Sequence, residues 1–334
     1  MSRDDLNLHS VLSEAMARFY DSWETAGMRV DKLVYTLREF DKLAVELDLK
    51  APVITREFFE AWLAEHRSDK SKTLGNKTCV LRGLASFIIE HGGESYLPPV
   101  IKGSNSPFTP HIFSPEELGK LMEASSKLEM FDGNMNTGLF CFPALLRTLA
   151  GAGPRIEETL SINNADVHID ERFILLRKTK NRKERVLPLS KSLAECLAQY
   201  VKYRDRLPVK GIDAPESPFF VKANGMRPSR QGVYQWFRSI LVKCDIPFIG
   251  DHKGPRLHDF RHTFAVMSLR QMTRNGLDVY ASLPILSTCL GHASIGSTED
   301  YVRLTIDAYP ELEDALSDTD EYIYPKLGEG LSDE

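Results

Sequence analysis

The stretch at residues 96–113, YLPPVIKGSNSPFTPHIF, divides the chain because it is rich in proline, serine and glycine and shows no hydrophobic period. Such a composition is typical of a connection between domains. A helix start follows it, since Ser114 can cap, Pro115 suits the first helical turn and Glu117 completes a capping box. With 334 residues and 42% hydrophobic content, the chain can build two domains with separate cores.

The residues before this connection predict a group of helices. Four stretches repeat apolar residues at intervals of three and four. They are LHSVLSEAMARFYDSW (8–23), VDKLVYTLREFDKLAVEL (30–47), REFFEAWLAEH (56–66) and TCVLRGLASFIIEHG (78–92). The glycine pair Gly92 and Gly93 should end the last of these helices. We therefore expect a helical domain over residues 1–95.

The residues after the connection predict helices with a small sheet among them. Helical patterns run to about residue 161 and are followed by three short β-like runs, DVHID, RFILLRK and ERVLPL. Further helices are predicted at about 190–206, 229–244, 258–273, 280–290 and 296–304. The fold class expected is mainly α with a small β-sheet. The boundaries predicted are a linker at 96–112, a second domain at 113–306 and a C-terminal segment at 307–334.

Charge is unevenly distributed along the chain. The net charge is −5, but residues 307–334 hold ten acidic side chains and one lysine, a net −9, which leaves +4 on residues 1–306. A mildly basic body is compatible with nucleic-acid binding, although a surplus of four is weak support. The first residues lack the apolar stretch of a signal peptide, and no run has the ~18 apolar residues of a membrane span. The five cysteines form no CxxC pair, which argues against a metal site.

The segment RLHDFRHTFAV, residues 256–266, carries more charge than a core helix needs. On a helix, His258 and Arg261 lie one turn apart and could reach the same small anion. An apolar stripe of Leu257, Phe260, Phe264 and Met267 lies beside them, and His262 is expected to point elsewhere. A solvent-exposed His/Arg face explains the segment equally well when it is taken alone.

Three other segments place polar residues at helix ends and turns. GAGPRIEETLSI puts Arg155 at a helix start, and RKTKNRKERVLPL puts Lys180 near the turn of a predicted hairpin. CLGHASIGSTEDYVRLT places His292 after a glycine and Tyr301 nine residues later. Each has an ordinary alternative, namely a surface ion pair, a solvated basic turn and a packed tyrosine. The four segments together are more specific than any one of them.

Together, GPRIEE, TKNRKERVLPL, HDFRHTFA and LGHASIGSTEDY resemble the boxes of the tyrosine recombinase (phage integrase-like) family, in the family's order. The resemblance covers about residues 111–306. It implies a helical N-terminal core-binding domain and an α+β catalytic domain that together form a clamp around DNA. It also implies six catalytic residues, with Glu158 supporting the first arginine. These six are Arg155, Lys180, His258, Arg261, His292 and Tyr301.

The resemblance implies DNA cleavage and rejoining through a 3′-phosphotyrosyl intermediate. Tyr301 would be the nucleophile, His258 its proton acceptor and Lys180 the acid that protonates the departing 5′ oxygen. Arg155 and Arg261 can each fork onto non-bridging phosphate oxygens, a role that suits guanidinium better than ammonium. No cofactor and no metal ion are expected, because the cationic side chains take the electrostatic role of an ion.

The implied partners are double-stranded DNA with specific recombination sites and further copies of the chain, in a homo-tetramer on two sites. Phosphate contacts are predicted at five basic residues: Lys77, Arg82, Lys183, Arg185 and Arg230. Residues 309–318, YPELEDALSD, could form a short helix that docks on a neighbouring subunit, or a solvated tail. A cytoplasmic, nucleoid-associated protein is expected.

Two alternatives share part of this pattern. A type IB topoisomerase uses similar tyrosine, arginine and lysine chemistry, although the Leu-Gly-His box favours a recombinase. A DNA-binding protein that has lost catalysis is a second alternative, against which the complete set of six residues argues. Arg261 and His292 are 31 positions apart, a longer spacing than in compact family members, and this resembles transposon-borne members. Integration, excision, resolution and transposition all remain open.

Overall fold

The computed structural model describes residues 6–28, 30–101, 109–129, 136–177, 184–248, 254–291, 301–305 and 308–309. The chain forms two compact units, residues 1–108 and 109–334. The two described ends of the predicted connection belong to different units. Tyr96 N–H donates to the Ile54 carbonyl at 2.7 Å within the first unit. Phe113 N–H donates to Thr263 Oγ1 at 2.9 Å within the second.

The first unit is built of helices. They are α1 (Ser13–Thr25), α2 (Asp31–Glu46), α3 (Arg56–Glu65) and α4 (Ser71–Glu90). Leucine and aromatic side chains make up most of the core between them, and Trp62 of α3 is fully buried against Phe40 of α2. The side chain of Thr55 caps α3 by accepting from Phe58 N–H. Helix α4 ends where Gly92 takes a positive φ of 84°, as the sequence predicts.

The second unit consists of helices and a three-stranded sheet. The helices are α5 (Pro115–Ser126), α6 (Phe142–Ala152), α7 (Ile156–Ser161), α8 (Lys191–Arg204), α9 (Arg230–Lys243), α10 (Asp259–Arg274) and α11 (Val279–Leu290). The strands are β1 (Val167–His168), β2 (Phe173–Leu176) and β3 (Arg185–Pro188). They pair antiparallel in the order β1-β2-β3, with Leu176 opposite Arg185. Residues 301–305 are helical. The predicted class, mainly α with a small sheet, is confirmed.

The helix start predicted at Ser114 is present. Ser114 Oγ accepts from Glu117 N–H at 3.1 Å, and a Glu117 carboxylate oxygen accepts from Ser114 N–H at 2.9 Å. The adjacent Phe113 is fully buried, and its ring stacks on Phe260 with 4.7 Å between centroids. The capping box therefore fixes the backbone next to Phe113, whose ring packs against α10 in the core.

Two helices extend beyond what the apolar patterns alone indicate. Helix α4 begins at Ser71, several residues before the apolar repeat at 78–92, because Gly75 and Thr78 pack inside the unit and extend the buried face past polar residues. On α10, burial is not confined to the predicted apolar stripe: Arg261 is 1% exposed, whereas Phe264 is only half-buried. Within the described residues, no helix is long and apolar enough to cross a membrane.

Candidate active site

Arg155 and Glu158 meet at the start of α7. Helix α6 ends at Gly153, whose φ of 66° is left-handed, and Arg155 is extended at the N-cap position of α7. One Glu158 carboxylate oxygen accepts from Arg155 N–H at 2.9 Å, and the other accepts from Arg155 Nη1 at 2.8 Å. The carboxylate thus holds both the backbone and the side chain of this arginine. The Arg155 side chain remains 23% exposed and can reach a ligand.

A second arginine holds the same carboxylate. Arg185 on β3 donates from Nη1 and Nη2 to the two Glu158 oxygens, at 3.1 and 2.7 Å. Its Nε donates to the Cys289 carbonyl at 3.1 Å. The Arg185 side chain is only 8% exposed, which does not favour the predicted contact with DNA phosphate. Its guanidinium is instead used inside the protein.

These contacts decide the charge of Glu158. Burial alone would raise the pKa of this carboxyl, but hydrogen bonds and charge from Arg185 and Arg155 lower its pKa to about 2. Glu158 is therefore ionised at neutral pH. It partly neutralises two guanidiniums that would otherwise repel each other.

The side chain of Arg261 is almost fully buried. Its Nη1 donates to the Gly153 carbonyl at 3.0 Å, and its Nη2 donates to the Leu290 carbonyl. Burial, followed by the charge of Arg155, lowers the pKa of Arg261 to about 10, so the side chain stays cationic at neutral pH. The predicted fork onto phosphate oxygens is not the arrangement seen here, since both terminal nitrogens donate to main-chain carbonyls.

Two left-handed glycines permit these close approaches. A Cβ at Gly153 would lie 2.4 Å from Cδ1 of Phe264, and a Cβ at Gly291 would lie 2.8 Å from Nη1 of Arg185. Gly291 ends α11 with a φ of 65°, next to the Cys289 and Leu290 carbonyls that bind Arg185 and Arg261. Carbonyls at a helix C-terminus favour cations, so this end suits both arginines.

His258 stands at the N-cap position of α10. The residue is exposed overall, yet protein atoms crowd its imidazole enough for desolvation to matter. Desolvation and the positive charges of Arg261, Arg256 and Arg155 lower the pKa of His258 to about 4. The imidazole is therefore neutral at pH 7 and can accept a proton.

Tyr301 is 3% exposed and lies within electrostatic range of Arg261. Its ring centroid is 5.6 Å from that of His262, which in turn is 4.9 Å from that of His258. The prediction that His262 points away from the site is therefore wrong. The sequence held the signal, because residues 258 and 262 are four apart and share a helix face.

The structure brings together Arg155, Glu158, His258, Arg261 and Tyr301 in the second unit. Three other predicted residues, Lys180, Lys183 and His292, lie outside the described residues. Their roles stay predictions based on the resemblance.

Three further residues predicted to contact DNA phosphate lie in different surroundings. Lys77 Nζ lies 2.9 Å from Glu39 and 3.2 Å from Asp69, and the side chain is 19% exposed. Arg82 Nη1 donates to the Pro98 carbonyl. In the second unit, Arg230 is 70% exposed and lies 3.6 Å from Glu157. Lys77 is thus neutralised locally, whereas Arg230 remains available to a phosphate.

Comparisons with known proteins agree on one family. A model described as "Phage integrase family" matches residues 112–307. The candidate integrase/recombinase y4rE of Sinorhizobium fredii is 27% identical over 299 residues, which are 89% of this chain and 93% of that protein. Tyrosine recombinase XerC of Thermodesulfovibrio yellowstonii is 28% identical over 284 residues, covering 83% of this chain and 86% of its own.

A solved structure shares the fold. XerH site-specific recombinase, in a post-cleavage complex with its palindromic difH substrate, matches with a TM-score of 0.60 at 20% identity. The match covers 85% of this chain and 78% of that one.

Proposed function

Because the chain belongs to the phage integrase family and is a DNA-cleaving and rejoining tyrosine recombinase, we propose which residues perform the reaction. Tyr301 attacks the scissile phosphorus, and the bond from phosphorus to the 5′ oxygen breaks. His258 takes the phenolic proton, and Lys180 supplies one to the departing 5′ oxygen. The observation that carries the proposal is the gathering of Tyr301 and neutral His258 around the guanidiniums of Arg155 and Arg261.

The arginines divide the electrostatic work between them. Arg155 is partly exposed, and Glu158 engages only one of its five N–H donors through the side chain, which leaves others for the non-bridging oxygens. Arg261 adds positive charge from a buried position, where bonds to main-chain carbonyls hold it in place. Fixed positive charge of this kind stabilises a phosphoryl-transfer transition state and favours the phenolate of Tyr301. His292 donates to a non-bridging oxygen.

The reaction also determines the assembly. Strand exchange between two duplexes breaks four strands, and each protomer supplies one tyrosine, so a homo-tetramer holds two recombination sites. The acidic segment 307–334 links neighbouring subunits, with residues 309–318 as the docking element. The tetramer acts on double-stranded DNA at the nucleoid, in integration, excision or transposition of a mobile element.

A nicked suicide duplex tests the proposal. The nick lies beside the cleavage point, so the cleaved end is lost and the covalent adduct accumulates. Wild type is expected to form the adduct, and Tyr301→Phe is expected to bind the duplex without forming it. An adduct formed by Tyr301→Phe would exclude Tyr301 as the nucleophile. Absence of any adduct with wild type on its own element-end DNA would exclude the enzyme assignment, and site-independent relaxation of supercoiled DNA would indicate a topoisomerase.

A further inference from the structure

Arg185 touches three of the segments that build the site. It is the first residue of β3, five positions after Lys180 in the sequence, and it holds both oxygens of Glu158 on α7. Its Nε holds the Cys289 carbonyl at the end of α11, three residues before His292.

We propose that Arg185 is a positioning residue for the cleavage reaction, which sets the guanidinium of Arg155 by fixing the Glu158 carboxylate. This inference rests on the proposed role of Arg155. Arg185 itself does not touch DNA, because its side chain is 8% exposed and faces protein groups at three nitrogens. It acts through Glu158. This carboxylate has no hydrogen-bond donor for DNA, but it accepts hydrogen bonds from both the backbone and the side chain of Arg155.

The fork of Arg185 is what gives Glu158 a single orientation. Two parallel N–H···O bonds fix the plane of a carboxylate, whereas one ammonium contact leaves it free to rotate. The Glu158 oxygen that receives Arg155 Nη1 also receives Arg185 Nη1, so the orientation set by one arginine is passed to the other.

Space at this position is restricted as well as hydrogen bonding. A Cβ at Gly291 would lie 2.8 Å from Nη1, 3.0 Å from Cδ and 3.0 Å from Cζ of Arg185. The guanidinium therefore fits between β3 and the end of α11 only because residue 291 has no side chain. A lysine here would keep the charge but could not reproduce the fork against Glu158 and the bond to Cys289 together.

The test compares two scissile linkages in the suicide duplex. One is the ordinary phosphodiester, and the other is a methylphosphonate, in which a methyl group replaces one non-bridging oxygen and removes the negative charge. The measured quantity is the single-turnover rate at which the 5′-hydroxyl strand is released. In that step the Tyr301 oxygen bonds to phosphorus and the P–O5′ bond breaks, while the phenol loses a proton and the 5′ oxygen gains one. A variant that impairs Arg155 should be slow on the charged linkage and much less impaired on the neutral one.

Arg185→Ala and Arg185→Lys are expected to lower the phosphodiester rate by about 100-fold, the effect of losing one transition-state donor. Each should lose less than about 10-fold on the methylphosphonate, because the charge that Arg155 serves is absent there. Equal losses on the two linkages, or a wild-type rate on the phosphodiester, would overturn the proposal. If Arg185→Ala does not fold, Arg185→Lys decides the matter, since it retains a positive charge beside Glu158.

Arg177→Ala is the matched control. Arg177 follows β2 and bonds a buried acid, Asp166, at 2.7 Å, and it has no hydrogen bond or ion pair with any site residue that the structure describes. It should keep wild-type rates on both linkages. Arg155→Ala separates failure of this inference from failure of the proposed function. If Arg155→Ala shows no preference for the neutral linkage, the role of Arg155 is wrong; if it shows one and the Arg185 variants do not, only the positioning role is wrong.

Discussion

Nη1 of Arg261 donates to the carbonyl of Gly153 at 3.0 Å, across 108 residues of sequence. Gly153 has a φ of 66°, and a Cβ there would lie 2.4 Å from Phe264. Gly153→Ala should therefore lose about 3 kcal/mol of unfolding free energy, from backbone strain and overpacking combined. Cleavage should fall as well, because the carbonyl that holds Arg261 is displaced. Urea denaturation and adduct formation measure the two effects.

Gly211→Ala separates strain from crowding. Gly211 has a φ of 72°, but a Cβ there would meet nothing within 4 Å. It should lose only about 1 kcal/mol and retain full cleavage. Equal losses of stability in the two variants would show that contact with Phe264 is unimportant.

Glu158→Gln should destabilise the protein and slow cleavage. The substitution preserves shape but leaves the guanidiniums of Arg155 and Arg185 facing a neutral amide, at a cost of about 3 kcal/mol. Because the folded pKa of about 2 lies below the usual 4.5, the ionised carboxylate stabilises the fold above pH 4.5. That stabilisation is lost as the pH falls toward 2, so wild type and variant should converge in acid.

Its neighbour provides the control. Glu157 is 66% exposed and pairs with Arg230 at 3.6 Å, so Glu157→Gln should leave stability and cleavage nearly unchanged. Denaturation curves recorded at several pH values distinguish the variants. A stability difference for Glu158→Gln that stays constant from pH 7 to pH 3 would contradict the assigned ionisation.

Local patterns predicted most elements of this fold, because caps and hydrophobic periods are encoded within a few residues. The capping box at Ser114 and the glycine stop at Gly92 are examples. The role of Arg185 could not be predicted in that way. Its partners lie 27 and 104 residues away, and nothing in KERVLPL distinguishes a buried ion pair from a solvated basic residue. His262 could have been placed, since helical spacing alone puts it beside His258.

The rate of cleavage should have an acid limb near pH 4. The pKa of His258 is lowered to about 4 from 6.5, chiefly by desolvation and then by Arg261, so the imidazole remains a proton acceptor through pH 5. The lowered value also means that the unfolded chain takes up this proton first, so His258 favours unfolding as the pH falls from 6.5 toward 4. Adduct formation at subsaturating DNA, measured from pH 4 to pH 8, reports the limb. The His258→Gln variant should cleave slowly and its rate should show no acid limb. A limb near pH 6.5 in the wild-type protein would contradict the prediction.

Salt dependence should separate Arg230 from Lys77 as DNA contacts. A side chain that neutralises one phosphate releases counterions, so removing it reduces the slope of log K against log salt by about 1. Arg230 is 70% exposed with only a 3.6 Å contact to Glu157, so Arg230→Ala should reduce the slope. Lys77 lies between Glu39 and Asp69, so Lys77→Ala should leave the slope unchanged while weakening the first unit. Binding to a fixed duplex between 50 and 200 mM salt measures both slopes. A reduced slope for Lys77→Ala would mean that the lysine leaves its two carboxylates when DNA binds.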